Sequence, residues 1–436
     1  MPWLRRRRGR RYVADSIRIL PVLSMLAALV AVRLLDWVDA ALGWTPTIQP
    51  EAARSVLSAL ASSMFTLIVF VSSALLVAVQ LASGQLTPRI IAVVFKDTIT
   101  KFSLTAFVFI FTFSLAALLR INDFVPQVTS AVAAYGCLVS LGAFLFLIDH
   151  IGKALRPSGA SRRVALLGRA VIEDVYPRGL SEARDRDRDS ADVPRGEPSS
   201  TITSSADGVV LAFDVQGLVA LAERGDCLIE LVPQVGDFVA TGDPLFRVFR
   251  GGATPPAAEL RGSVALGQER TLEQDPTFTF RILVDMASKG LSPAINDPTT
   301  AVLALDQIHH LLRNVGSRQL DDGRVRGAAG RLRLVYRTPD WADFVHLAVT
   351  EIRQFGSTSI QVARRLRAMI ENLLECLPEE RAALLRPELA MLRRSSERSF
   401  PEPEDRALAD VSDLQGVGGK HGSGPPGLPV SQATPR

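Results

Sequence analysis

The chain has 436 residues, enough for roughly two or three compact units. Its 47% hydrophobic content and mean hydropathy of +0.20 average over two unlike parts, a strongly apolar stretch over residues 1–150 and a remainder that reads as soluble protein. A net charge of +4 speaks against a nucleic-acid-binding role. Three scattered cysteines, Cys137, Cys227 and Cys376, exclude a disulfide framework or a cysteine-based zinc site and fit a reducing compartment for the soluble part.

Residues 1–16 form a basic N-terminus carrying Arg5, Arg6, Arg7, Arg8, Arg10 and Arg11, which reads as a cytoplasmic anchor on anionic lipids. Four membrane spans are expected over residues 17–38, 56–81, 102–119 and 124–148. No charged residue lies between Arg54 and Arg89, and Val56 to Leu81 is long enough to cross with room for tilt. The first span is charge-free only from Ile19 to Val32, after which Arg33 and Asp36 can pair three residues apart and Trp37 can sit at the interface. A surface-lying helix or a signal peptide would also fit that segment, but no convincing cleavage site follows it.

Loop charge decides the count. The N-terminus, the loop with Arg89, Lys96 and Lys101, and the segment with Lys153, Arg156, Arg162, Arg163 and Arg169 share one side only if the first segment crosses. Lysine and arginine stay cytoplasmic, so four spans with both termini inside a bacterial inner (cell) membrane is the consistent solution.

Spans two to four hold no ionisable residue in their interiors, which disfavours a proton-coupled carrier. Their polar residues, Ser62, Ser63, Thr66, Ser72, Ser73, Gln80, Thr112, Ser114, Tyr135 and Ser140, suit helix packing or a pore made by several copies. After span two, Gly84 and Pro88 break the helix within Gln85-Leu86-Thr87-Pro88-Arg89, and Phe95-Lys96-Asp97 follows. This stretch reads as an elbow, or as a lever coupling membrane and cytosolic parts through Gln85, Pro88, Arg89 and Asp97.

Residues 151–177 continue as a juxtamembrane helix, and residues 178–203 read as a disordered linker of alternating arginine and aspartate. Over residues 204–262 short strands with glycine turns are expected. Val235-Gly236-Asp237-Phe238-Val239-Ala240-Thr241-Gly242-Asp243-Pro244-Leu245 reads as strand, turn, strand, and resembles the hairpin of barrel-sandwich domains that include lipoyl and biotinyl carriers. Residues 204–250 contain no lysine, so the resemblance implies a small β module without swinging-arm chemistry.

Residues 263–397 read as a helical domain. Asp275-Pro276 and Asp297-Pro298 each place a capping aspartate before a first-turn proline, Thr338-Pro339 and Ser357 open two more helices, and Glu379 to Arg394 is helical around Pro387. Residues 398–436 read as a disordered tail. The expected architecture is thus an α-helical membrane protein of four transmembrane helices, whose cytoplasmic region combines a small β barrel-sandwich-like module with an α-helical domain.

The candidate ligand-binding residues are Arg270, Asp275, Asp285, Ser292, Asn296, Asp297 and Thr300. Ser292, Asn296 and Asp297 crowd a tight connection at a helix N-terminus, where backbone N–H groups can hold an anion, although Asp297 would compete with one. Helix capping alone explains Asp275 and Asp297, whereas Asp285 sits among apolar neighbours and calls for a partner such as Arg270 or Lys289. Asp306 with His310 supplies at most half a metal site, because His309 and His310 point about 100° apart on a helix. No metal, cofactor, nucleophile–base pair or phosphate loop is expected, and the chain does not read as an enzyme.

With these residues laid out, the chain resembles a bacterial family of predicted membrane proteins, the domain of unknown function 2254 family. The likeness rests on Gln85 to Arg89 with Asp97, on Arg270 to Asp275 and on Leu291 to Ala301, and covers residues 15–395. The chain departs from that pattern at Leu86-Thr87 and Ala294. The resemblance implies a fold and a membrane location but no mechanism. Two functional expectations follow: a homo-oligomeric channel or transport protein gated by its cytosolic part, or a membrane-anchored ligand sensor or scaffold.

Overall fold

A computed structural model describes residues 19–42, 49–90, 98–121, 125–154, 156–180, 196–249 and 253–419. The chain divides into two compact units. The first holds Met1–Val164, Pro194–Arg270 and Arg324–Tyr336; the second holds Ala165–Val193, Thr271–Gly323 and Arg337–Arg436. The basic N-terminus at 1–16 lies outside the described residues.

Four helices of the first unit are long and apolar enough to cross a membrane: α1 Ile19–Leu42, α2 Pro50–Gln85, α3 Thr98–Leu118 and α4 Gln127–Ala154. At about 1.5 Å per residue, even α3 matches a hydrocarbon core of roughly 30 Å. α3 packs against each of the other three. Small residues let the backbones approach, with Ala28, Ala53, Ala116, Ala117 and Ala133 around Phe113 in one cluster. Met64, Val71, Phe107 and Leu147 form a second.

One end of this bundle is closed by polar contacts. Asp39, 2% exposed, accepts from the Val128 and Thr129 backbone N–H groups at 2.9 and 3.2 Å, so a carboxylate of α1 caps the N-terminus of α4. Arg54 of α2 donates to the Ile121 carbonyl at 2.6 Å, and Arg120 pairs with Asp36. The sequence expectation of an Arg33–Asp36 pair is therefore corrected. Arg33 lies on the exposed side of α1, while Asp36 faces Arg120 at the end of α3.

The first unit also carries two sheets. Their elements are β1 Ser200–Thr203, β2 Gly208–Phe213, α6 Val215–Arg224, β3 Leu228–Leu231, β4 Phe238–Val239, β5 Pro244–Phe249, α7 Ala257–Arg261, β6 Val264–Gly267, β7 Arg324–Arg326 and β8 Leu332–Tyr336. α5, Pro157–Val175, is the helix within which the chain passes from the first unit to the second. One sheet runs β1-β5-β3-β8-β7 and the other β4-β2-β6. Their apolar faces share a core of Val210, Leu218, Ile229, Phe246 and Leu334.

This corrects the barrel-sandwich expectation, since neither sheet closes among the described residues. β4 and β5, read as one hairpin, enter different sheets: β4 pairs with β2, and β5 with β1 and β3. With only two residues in β4, the turn made by Gly242 at φ +94° and by Asp243, which accepts from the Ala240 N–H, redirects the chain before a hairpin can form. Helix α6, capped by Asp214, stands where strands alone were expected; Leu218, Leu221 and Ala222 give it a buried helical stripe. β1 begins inside the stretch read as a linker, of which residues 181–195 lie outside the described part. The domain read as wholly helical lends three strands, β6 to the second sheet and β7 and β8 to the first, β8 pairing in parallel with β3 through Ile229 and Leu334.

The second unit is helical: α8 Pro276–Gly290, α9 Pro298–Gly316, α10 Trp341–Phe355, α11 Ile360–Cys376, α12 Glu379–Ala382, α13 Arg386–Ser399 and α14 Pro403–Ala409. α8 packs on α9 and α10, and α11 on α9 and α13. Phe280 and Phe344 meet at 5.4 Å in the core, with Tyr176 edge-on to Phe344. Close approach of α5 to α8 requires Gly168, because a Cβ there would lie 2.1 Å from Thr279 Cγ2. α10 starts two residues later than Thr338-Pro339 suggests, at a capping box made by Asp340 and Asp343, and Ser359 rather than Ser357 caps α11. The disordered-tail expectation is corrected for residues 398–419, which include α14 and a hydrogen-bonded segment after it; residues 420–436 lie outside the described part.

Asp39→Ala should lower the melting temperature in detergent micelles by the equivalent of about 1–3 kcal/mol, because two backbone N–H groups lose their acceptor. Asp36→Ala, at a more exposed pair, should cost less. Equal shifts for the two variants would argue against the capping role.

Candidate functional site

The boundary between the two units falls after Arg270, so Arg270 belongs to the first unit and the other six predicted site residues to the second. Arg270 is held in the first unit against Gly236, where an added Cβ would fall 1.8 Å from its Nη2 and where φ is +96°. In the second unit, Asp275 accepts from the Phe278 N–H at 3.0 Å and also holds the Thr277 hydroxyl. Asp297 accepts from the Thr300 N–H at 3.1 Å and from the Thr300 hydroxyl at 2.6 Å. Both therefore cap the helices they precede.

The connection between α8 and α9 is wound on itself. Ser292 donates to the Lys289 carbonyl, its own carbonyl accepts from Ile295 and Asn296, and the Asp297 N–H reaches the Gly290 carbonyl at 2.6 Å. Asn296 adopts φ +48°, a conformation that asparagine tolerates better than most residues. Asp285 pairs with Arg281 one turn back, at 2.5 Å, where the sequence reading looks to Arg270 or Lys289. Arg281 also grips both oxygens of Glu351 on α10, at 2.5 and 2.7 Å. That bidentate contact holds the Glu351 carboxyl below its ordinary range and pushes the guanidinium pKa up.

At the elbow, Gln85 is the last residue of α2, and Pro88 and Arg89 lie in a short 3-10 turn, both exposed. Asp97 falls outside the described residues.

A second group of residues, none of them selected from sequence, lies on α11. Arg364, Arg365 and Arg367 are 0%, 5% and 8% exposed. Arg365 pairs with Asp306 of α9 at 2.7 Å and donates toward His309 Nδ1 at 3.2 Å, while His309 Nε2 faces Asn372 Oδ1 at 2.9 Å. This arrangement suits a neutral imidazole that carries its proton on Nε2. Burial, the Arg365 charge and the Arg313 charge depress the His309 pKa, against the Asn372 hydrogen bond and Asp306. Asp306 is thus engaged by an arginine, and among the described residues no group of three or more ligating side chains is placed to hold a metal ion.

Arg364 donates to the carbonyls of Val411, Gly418 and Gly419 at 2.9–3.0 Å, and Arg367 pairs with Asp410. In between, Asp413, 2% exposed, gathers the N–H groups of Gln415, Gly416 and Gly418 at 2.7–3.0 Å. Burial works to raise its pKa, but those donors and the Arg364 charge outweigh it and the net shift is downward. Residues 410–419 therefore form a strap across α11. The signal available in sequence was the run of arginines at positions that a helix buries, together with glycines spaced for positive φ at Gly416 and Gly418.

Asp297→Ala should cost about 1 kcal/mol in thermal or urea unfolding, and Asp297→Asn, which keeps an acceptor, clearly less. A silent Asp297→Ala would remove the capping account. His309 has a folded pKa below its unfolded value of 6.5, so stability should fall as pH drops below 6.5 and level off beneath the folded value. His309→Gln should flatten that part of the melting profile; an unchanged profile would place the titration elsewhere.

The family described as predicted membrane protein (DUF2254) matches residues 14–372. Uncharacterized proteins of Mycobacterium bovis and of Mycobacterium tuberculosis are 28% identical to the chain over 375 residues, covering 82% of this chain and 71% of theirs. No solved structure matches. Four apolar helices, followed by a mixed helical and sheet region and matched over most of its length by one family, make this chain a member of the DUF2254 family of predicted membrane proteins.

Proposed function

We propose that the protein is a homo-oligomeric channel or transport protein of the cell membrane, with both termini cytoplasmic and gating by its C-terminal region. The observation that carries this reading is the outward face of α2. Ser55, Ser62, Thr66, Ser73 and Gln80 are all exposed and recur at four- and seven-residue spacings, opposite the face where Ala53, Leu57, Met64 and Val71 are buried. A lone copy would turn these polar groups toward lipid, which hydrocarbon penalises. Within this stripe, Thr66 donates to the Ser62 carbonyl four residues back at 3.0 Å, leaving oxygen lone pairs outward. Several copies arranged around α2 would enclose a path lined by hydroxyl and amide oxygens without any fixed charge. The distribution of lysine and arginine among the loops supports the orientation.

A second reading, a membrane-anchored ligand sensor or scaffold without transport, draws on the buried arginines of α11, which a purely structural helix does not require.

The test is ion flux and single-channel recording from protein reconstituted in liposomes, with single cysteines at Ser62, Thr66, Ser73 and Gln80 in a background lacking Cys137, Cys227 and Cys376. Conductance blocked by a water-soluble thiol reagent at these positions, and cross-linking between copies through them, is the expected result. Silent liposomes holding correctly oriented protein, without cross-links, would leave the sensor reading in place.

A further inference from the structure

Of the three buried arginines of α11, Arg365 and Arg367 meet carboxylates, whereas Arg364 is occupied by neutral acceptors where charged ones would bind better. Arg364 is fully buried, yet the groups that receive its hydrogen bonds are three backbone carbonyls. The nearby carboxylate of Asp413 is turned to backbone N–H groups of the strap itself. Each of the three arginines also keeps one buried nitrogen with no hydrogen-bond partner among the described residues: Nη2 of Arg364, Nη1 of Arg365 and Nε of Arg367. A guanidinium bonds an oxyanion about twice as strongly as a neutral carbonyl and offers it two parallel donors. With the strap lifted, the acceptors left to the three guanidiniums among the described residues would be Asp306, Glu371 and His309 Nδ1.

The strap engages this face chiefly through its backbone, with side-chain anchors at Asp410 and Ser412, and Gly416 at φ +69° seats over Val302 of α9 and the stem of Arg365. The three arginines lie within the family match, which ends at residue 372, and the strap lies beyond that end.

We propose that the α9–α11 face is a binding site for a multivalent oxyanion of the phosphate class, and that residues 410–419 are its resident pseudo-ligand, displaced when the anion binds. The inference stands independently of the transport reading, since it concerns the second unit alone. Phosphate chemistry can arrive as a free anion or as a lipid headgroup, and Arg364 would read either.

The experiment is hydrogen exchange on the full-length protein in nanodiscs of zwitterionic lipid, with and without pyrophosphate, and in nanodiscs of anionic lipid without it. Displacement predicts faster exchange at the Gln415, Gly416 and Gly418 amides. Acceleration by pyrophosphate alone identifies a free anion, and acceleration by anionic lipid alone a headgroup. Gly416→Leu, whose side chain would collide with Val302, should lift the strap and tighten pyrophosphate binding about tenfold by equilibrium titration. Adding Arg364→Gln should abolish that gain. Asp410→Ala with Asp413→Ala weakens the same strap from its acidic side and serves where Gly416→Leu fails to fold. Unchanged exchange under both conditions, or anion binding that survives Arg364→Gln, would overturn the proposal.

Discussion

Hydrocarbon offers a backbone amide no partner but the chain itself, and the N-terminal part of this protein follows from that constraint. A helix pairs its backbone within itself, but at its ends, where N–H and C=O groups are no longer paired internally, it must find acceptors and donors elsewhere. Asp39 answers this for α4 from a neighbouring helix, and Arg54 answers it for the carbonyl of Ile121 beyond α3. Asp36, Asp39, Arg54 and Arg120 gather at one end of the bundle, and alanines and phenylalanines pack between the helices. The hydroxyl stripe of α2 stands apart from this economy because it faces away from its own bundle.

Buried and half-buried guanidinium groups organise the remainder. Arg333 ties β8 to the turn before β3 through the Cys227 carbonyl and Asp226, a residue held at φ +44°. Arg281 ties α8 to α10 through Glu351. Arg364, Arg365 and Arg367 tie α11 to α9 and to the strap. Burying such groups is costly unless they are paired, so each marks a place where two segments are committed to one another. The first two find full-strength partners in carboxylates; Arg364, satisfied by carbonyls, does not.

Where residues carried their own local signal, the chain was legible. Apolar runs as long as a bilayer is thick marked α1 to α4, and aspartate before proline marked the starts of α8 and α9. Capping is decided within four residues, so Asp275 and Asp297 could be read without knowing what surrounds them. The turn glycines at Gly236 and Gly242 were equally local.

What sequence alone determined, then, was the set of elements whose cause is short-ranged: helix length, caps, turns and the apolar character of the first part. Tertiary structure decided everything that depends on a distant partner. Strand pairing is non-local, so β4 and β5 parted into different sheets and β8 came from a stretch that reads as helical. Partner choice among charges is a matter of reach in space, so Asp36 took Arg120 and Asp285 took Arg281. A glycine-rich tail, poor in the large apolar residues that fold a segment by themselves, is held by donors that Arg364 and Arg367 on α11 supply and that no local sequence could supply.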